Sequence, residues 1–197
     1  MEKNNLTISK AVPFNAENID TDQIIPARFL KAVKRGDFGK NLFRDLRYQS
    51  GTDTPIADFC LNKYPGDRKI LVAGNNIGCG SSREHAVWAL YDYGFRVVVS
   101  TSFADIFKNN SFNNGLLPLT VSKEYLNELM KTITENPDVE IRVSVEEQTI
   151  TNPITGNVFN FQIESFRREC LLKGFDNTSY LLSMKDDIVN FEKQHTK

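Results

Sequence analysis

The sequence predicts an α/β domain in layers, with parallel strands joined by helical crossovers and a separate antiparallel strand pair. Two stretches carry that prediction. In the first, the apolar run Ile70-Leu71-Val72-Ala73 ends at Gly74 and reads as a buried strand. A glycine-rich turn follows, after which Ala86, Ala89, Leu90 and Tyr93 recur at i, i+3, i+4 and i+7, the period of a helix face. Gly94 stands where a helix C′ residue belongs, and residues 95–99 resume as a strand. In the second stretch, residues 139–145 and 158–163 alternate apolar and polar side chains, as strands with one exposed face do. Asn152-Pro153 and Thr155-Gly156 lie between them as turn formers. Crossovers and antiparallel strands in one chain indicate layered α/β architecture with mixed strands flanked by helices.

Taken in order, residues 6–12 alternate weakly and read as a first strand. Residues 18–26 are acidic and turn-like ahead of the pair Ile24-Ile25. Asp20 and Asp22 there suit turn formation or metal ligation, and on their own the turn reading is the stronger. Residues 27–33 are compatible with a short helix. Lys34-Arg35-Gly36-Asp37-Phe38-Gly39 is a basic, glycine-flanked loop, either a solvated turn or a mobile substrate loop. Residues 41–48, with Leu42, Phe43 and Leu46, predict a helix on the core. Residues 49–55 form a polar loop, and 59–66 lead into the central strand.

Beyond the strand at 95–100, residues 102–107 open a second helix and 109–115 close it, before a short strand at 116–119. Residues 122–136 predict an amphipathic helix with Tyr125, Leu126, Leu129, Met130 and Ile133 on one side, ended by Pro137. Residues 167–173, stopped by Gly174, and 185–194 read as C-terminal helices. The expectation is one domain over 1–197, with the helices of about 166–195 as an appendage.

A net charge of −1 leaves no electrostatic footprint for nucleic acid or an anionic membrane. No apolar run approaches the roughly 20 residues of a membrane span, and Met1-Glu2-Lys3-Asn4-Asn5 lacks the apolar core of a signal peptide. A cytoplasmic protein is expected. Cys60, Cys79 and Cys170 are scattered, and His85 and His195 are the only histidines, so no zinc site or cysteine-held cluster is expected on this chain. Cys79, within the glycine turn, is either a reactive thiol near a helix start or, as the stronger reading, a small turn residue.

The functional signal is the turn Gly78-Cys79-Gly80-Ser81-Ser82-Arg83-Glu84-His85. The first N–H groups of a helix lack intrahelical partners and carry partial positive charge, and glycines let an anion approach the backbone. Arg83 adds a planar guanidinium able to grip a carboxylate with two parallel hydrogen bonds. The plainer reading is that Ser81 or Ser82 caps the helix, with Glu84 or His85 completing a capping box. That explains one serine, but not two glycines, two serines and an arginine together.

Four segments together resemble a known family: Asn18-Ile19-Asp20-Thr21-Asp22-Gln23-Ile24-Ile25-Pro26, the turn at 78–85, Ser102-Phe103-Ala104-Asp105-Ile106-Phe107, and Ser111-Phe112-Asn113-Asn114-Gly115-Leu116-Leu117-Pro118. They are similar to the small subunits of 3-isopropylmalate dehydratase in the aconitase superfamily, over residues 6–192. The first segment and Phe166-Arg167-Arg168 point to that branch rather than to aconitase. The resemblance implies a swivelling β/β/α domain that covers an active site carried mostly by another chain. It implies no cofactor bound here, a [4Fe–4S] cluster on a large partner subunit, and a small dicarboxylate substrate. The reaction implied takes water from 2-isopropylmalate and returns it to give 3-isopropylmalate, with the cluster's open iron as Lewis acid for the hydroxyl.

By the same resemblance Ser81 is the base, Arg83 a carboxylate clamp, Ser82 a neighbouring donor and Asp22 an active-site aspartate. A further superfamily arginine falls in the Lys34/Arg35 loop, where Arg35 is the candidate and where side-chain selectivity would lie. Neighbouring readings are the same domain serving a methylmalate/citraconate or homoaconitate type of substrate, or a stand-alone anion- or nucleotide-binding module. Against the module, the chain has no Gly-x-x-x-x-Gly-Lys and no Gly-x-Gly-x-x-Gly with a trailing acid.

Overall fold

The computed structural model describes residues 1–30 and 38–195. Its strands are β1 (Leu6–Phe14), β2 (Ile70–Ala73), β3 (Val97–Ser100), β4 (Leu117–Thr120), β5 (Glu140–Ser144), β6 (Thr149–Thr151) and β7 (Val158–Asn160). They form one sheet in the order β4-β3-β2-β1-β5-β6-β7. β1 is the seam. Its second half runs parallel to β2, with Ala11 opposite Ile70 and Phe14 opposite Ala73, while its first half is antiparallel to β5, with Leu6 opposite Ser144. β2 and β3 are buried at every position, as strands covered on both faces must be, and hence read as unbroken apolar runs.

The helices are α1 (Thr21–Ile24), α2 (Arg44–Arg47), α3 (Cys60–Lys63), α4 (Glu84–Tyr93), α5 (Asp105–Asn113), α6 (Lys123–Glu135), α7 (Ser165–Lys173), α8 (Asn177–Ser183) and α9 (Lys185–His195). Side chains alternate across a strand, and the parallel strands feed two cores accordingly. Leu71, Ala73 and Val98 pack with Val87 and Leu90 of α4 and with Phe38, Leu42 and Phe43. Ile70, Val72, Val97 and Val99 pack with Leu126, Leu129 and Ile133 of α6 and with Leu171 of α7. Leu129 and Ile133 are wholly buried, each worth about 1.5–3 kcal/mol of transfer free energy. Ser122 caps α6 by accepting from the Tyr125 N–H at 3.2 Å.

Several expectations shift. The helix expected over 41–48 is split into a 310 turn, Gly39–Asn41, and α2, because Phe43 takes a left-handed φ of 50° that a helix cannot pass through. Leu42 and Phe43 are buried as expected, but Leu46 is 36% exposed and faces away from the core. Of the helix expected over 27–33, Ala27–Phe29 form a 310 turn that ends at Leu30, and residues 31–33 lie outside the described residues. The two alternating segments at 139–145 and 158–163 do not pair with each other. β6 lies between them, and the turn at 152–156 joins β6 to β7. α8 adds a helix between the two expected C-terminal ones, capped by Asp176, which accepts from the Ser179 N–H at 2.7 Å. Among the described residues no helix is long and apolar enough to cross a membrane.

Candidate functional site

Three loops leave the carboxyl ends of β1, β2 and β3, where open α/β sheets place their ligands, and backbone hydrogen bonds lace them together. The loop after β1 runs beside the glycine turn: Gly78 N–H donates to Ile19 O at 2.7 Å and Thr21 N–H to Cys79 O at 3.0 Å. On the other flank Ile77 N–H donates to Ser102 O at 3.2 Å, and Ala104 N–H to Ile77 O at 3.0 Å. Side chains extend the lacing. Asn76 Nδ2 donates to Asn18 Oδ1 at 2.8 Å, and the Thr21 hydroxyl to Ser81 O at 2.8 Å. The Ser81 backbone is thus held by a buried threonine from another loop.

Gly78 shows why the turn needs glycine. It has φ +77°, and a Cβ there would lie 2.1 Å from Cγ of Phe107, a ring that is 3% exposed. Gly80, at φ +83°, meets nothing closer than Asp20 Cβ at 3.4 Å, so its glycine answers to backbone conformation alone. α5 and the turn are packed as one body.

The turn opens into a cleft of about 270 Å³. Ser81, Ser82 and Arg83 form one wall, and Ala104, Asp105, Ile106 and Phe107 contribute another. Both serines are exposed. The helix does not begin at either of them: Arg83 occupies the N-cap position in extended conformation, and no side chain caps there. Nor does Glu84 complete a capping box, because its carboxylate accepts from Asn114 Nδ2 at 2.8 Å. The capping account of the serines therefore fails, and both residues line the cleft.

Arg83 is ion-paired through Nη1 with Asp22 of α1. The Arg83 side chain is 17% exposed and that of Asp22 55%. A half-exposed pair of this kind is worth at most about 1 kcal/mol, so an incoming carboxylate can share or displace it at little cost. A guanidinium also has more donors than this single contact uses. The structure thus brings together Asp22, Ser81, Ser82 and Arg83, the last three directly on the cleft. Arg35 and Lys34 lie outside the described residues.

Other residues of the motifs are structural. The His85 ring packs against Trp88 at 4.6 Å and Phe38 at 5.3 Å between centroids. Cys79 lends its backbone to a bridge with Asp20. Asn114 ties the end of α5 to α4, donating to Glu84 and accepting from Trp88 Nε1 at 3.0 Å. Sequence reading passed over Thr21 and Phe107, which hold the turn in place; a threonine inside an otherwise acidic turn was the available signal for the first. A more open groove of about 560 Å³ lies between α3 and α6, with Asp58, Lys63, Lys131 and Glu135 mixing charge on its rim. Cys60 lines it, but burial pushes that thiol up to about 12, so it is not a nucleophile at neutral pH. Among the described residues no three His, Cys, Asp or Glu side chains gather as a metal site.

Comparison with known proteins gives a consistent result. Residues 3–124 match the aconitase C-terminal domain family. The chain is 48% identical over 194 residues to a 3-isopropylmalate dehydratase small subunit of Azobacteroides pseudotrichonymphae, covering 98% of both chains. It is 49% identical to the Cytophaga hutchinsonii protein of the same name, covering 98% of this chain and 96% of that one. A crystal structure of 3-isopropylmalate dehydratase from Methanocaldococcus jannaschii superposes with a TM-score of 0.67 at 25% identity, covering 95% of this chain and 99% of that one.

Proposed function

The chain belongs to the aconitase C-terminal domain family and, within it, to the 3-isopropylmalate dehydratase small subunits, and on that premise we propose that its cleft supplies the base and the carboxylate clamp of a two-subunit hydro-lyase. The enzyme interconverts 2- and 3-isopropylmalate through isopropylmaleate, a step of leucine biosynthesis in the cytoplasm. The observation that carries the reading is the convergence on one rigidly laced cleft of Arg83 and two exposed serines, neither of which caps the helix that follows.

Dehydration removes a proton from C3, the carbon beside the second carboxylate, and the hydroxyl from C2 of 2-isopropylmalate, for which a cluster on the partner would supply the Lewis acid. Arg83 holds a substrate carboxylate by its planar fork, trading its contact with Asp22. Asp22 then serves to keep the guanidinium in place between turnovers. Ser81, as the alkoxide, takes the C3 proton. Such an oxyanion is costly in water. It is favoured in a closed cleft where Arg83 and the N–H groups of the α4 start offer fixed positive charge. The hydroxyl then returns the proton during rehydration, and Ser82 donates a hydrogen bond nearby. Closure of the swivelling domain over the partner dries the cleft.

The second half of the site belongs to the large subunit, where we place the [4Fe–4S] cluster. The donor set of this chain does not fit one: Cys60 borders the α3–α6 groove, Cys79 sits in the turn and Cys170 is buried in α7. Arg35 remains a candidate for a further substrate contact on its loop.

Arg83→Lys in the assembled enzyme tests the clamp. Lysine keeps the charge but is a point cation, without the two-point grip on a planar carboxylate. The expected result is a loss of kcat/KM nearly as large as that of Arg83→Ala. Steady-state kinetics with Arg83→Lys within a few-fold of the parent would remove Arg83 from this role.

A further inference from the structure

The cleft that carries Ser81, Ser82 and Arg83 is also lined by an exposed isoleucine. Ile106, in the first turn of α5, is 54% exposed although its neighbour Phe107 is buried at 3%. An exposed large apolar side chain inside a cleft, rather than on the open surface, is available for contact with a ligand. Its position is fixed. The start of α5 is tied to the glycine turn through Ala104 N–H and Ile77 O, and Phe107 is wedged on Gly78. Ile106 is also β-branched and stiff at χ1, so it offers a defined surface at small entropic cost. Beside it, Asp105 puts an exposed carboxylate on the same wall.

We propose that Ile106 and Asp105 select the C2 substituent of the substrate: Ile106 receives an apolar branch and Asp105 repels an anionic one. This rests on the hydro-lyase reading above. With one substrate carboxylate on Arg83, the remaining substituent meets the wall formed by residues 104–107. An isopropyl group gains apolar contact with Ile106. A carboxymethyl group in its place brings a negative charge toward Asp105 with no cation on that wall to receive it. Selectivity then comes from one attractive and one repulsive element acting together, and it is built into the turn-packed start of α5 rather than confined to the loop carrying Arg35.

The test uses the complete two-subunit enzyme and malates that differ only at C2: isopropyl, methyl and carboxymethyl. The pocket contact of a few carbons is worth roughly 10–100-fold. Ile106→Asn is therefore expected to lower kcat/KM for the isopropyl compound by about that factor relative to the methyl compound. Asp105→Asn is expected to raise the carboxymethyl compound about tenfold relative to the isopropyl one. Both side chains are exposed, so circular dichroism and subunit association should match the parent. If Ile106→Asn depresses all substrates equally, or if neither ratio moves, the selectivity assignment is wrong while the hydro-lyase reading stands. If the parent enzyme acts on none of the three, the hydro-lyase reading itself fails and this one with it.

Discussion

Ser81→Ala in the assembled enzyme is expected to lower kcat by about 10²–10⁴-fold, the loss typical of a removed general base, with a much smaller change in KM. The hydroxyl is exposed in the cleft, while the backbone that carries it is fixed through Thr21. Replacement by alanine therefore deletes the reacting oxygen without moving the turn. Arg83 stays on the cleft wall to hold a substrate carboxylate, so substrate capture persists. Ser82→Ala serves as the comparison, because Ser82 lies on the same wall and is equally exposed. It is expected to cost about tenfold or less, as the loss of one neutral hydrogen bond would. A silent Ser81→Ala beside a crippled Ser82→Ala would exchange the two roles.

Gly78→Ala is expected to have the largest effect on stability of any methyl added to the turn. The new Cβ would fall 2.1 Å from Phe107 Cγ and 2.4 Å from its Cβ, in a backbone conformation at φ +77°. The left-handed conformation costs about 1–2 kcal/mol for a residue with a Cβ, and overpacking a buried ring about 1–3 kcal/mol more. For a chain of this length each kcal/mol shifts the melting midpoint by about 2–4 °C. A fall of about 10 °C is expected. The turn must also move to relieve the clash, and displacement of about 1 Å can cost about 10²-fold in rate. Gly80→Ala carries the conformational cost but no clash, its nearest neighbour being 3.4 Å away. It should lose only a few degrees. Equal melting midpoints for the two variants would contradict the packing of the turn on α5.

Much of this was legible in the sequence because the controlling forces are local. The runs of β2 and β3 announce burial on both faces, and the period of α4 and its C-terminal Gly94 announce the crossover between them. The glycine, serine and arginine grouping marked the cleft for the same reason: backbone freedom, hydroxyls and a guanidinium stand adjacent in sequence. What was not legible depends on distant partners. Phe43, itself buried, breaks its helix by taking a left-handed φ. The helix α4 begins after both serines, because the turn is held out of helical geometry by Thr21 and Ile19 across the loops. β6 has three residues and is defined by its neighbours on either side. The Asp22–Arg83 pair joins positions 61 apart in sequence, a contact no local pattern encodes.

The central claim is that this chain supplies the base and clamp of an active site whose other half belongs to a partner. The direct measurement is an anaerobic titration of the purified chain with cluster-loaded large subunit, following isopropylmaleate by its ultraviolet absorbance. The account predicts no hydration or dehydration by either chain alone, and activity that rises to saturation near a ratio of about one to one. Substantial hydration of isopropylmaleate by this chain alone, in the presence of a chelator and without the partner, would contradict it.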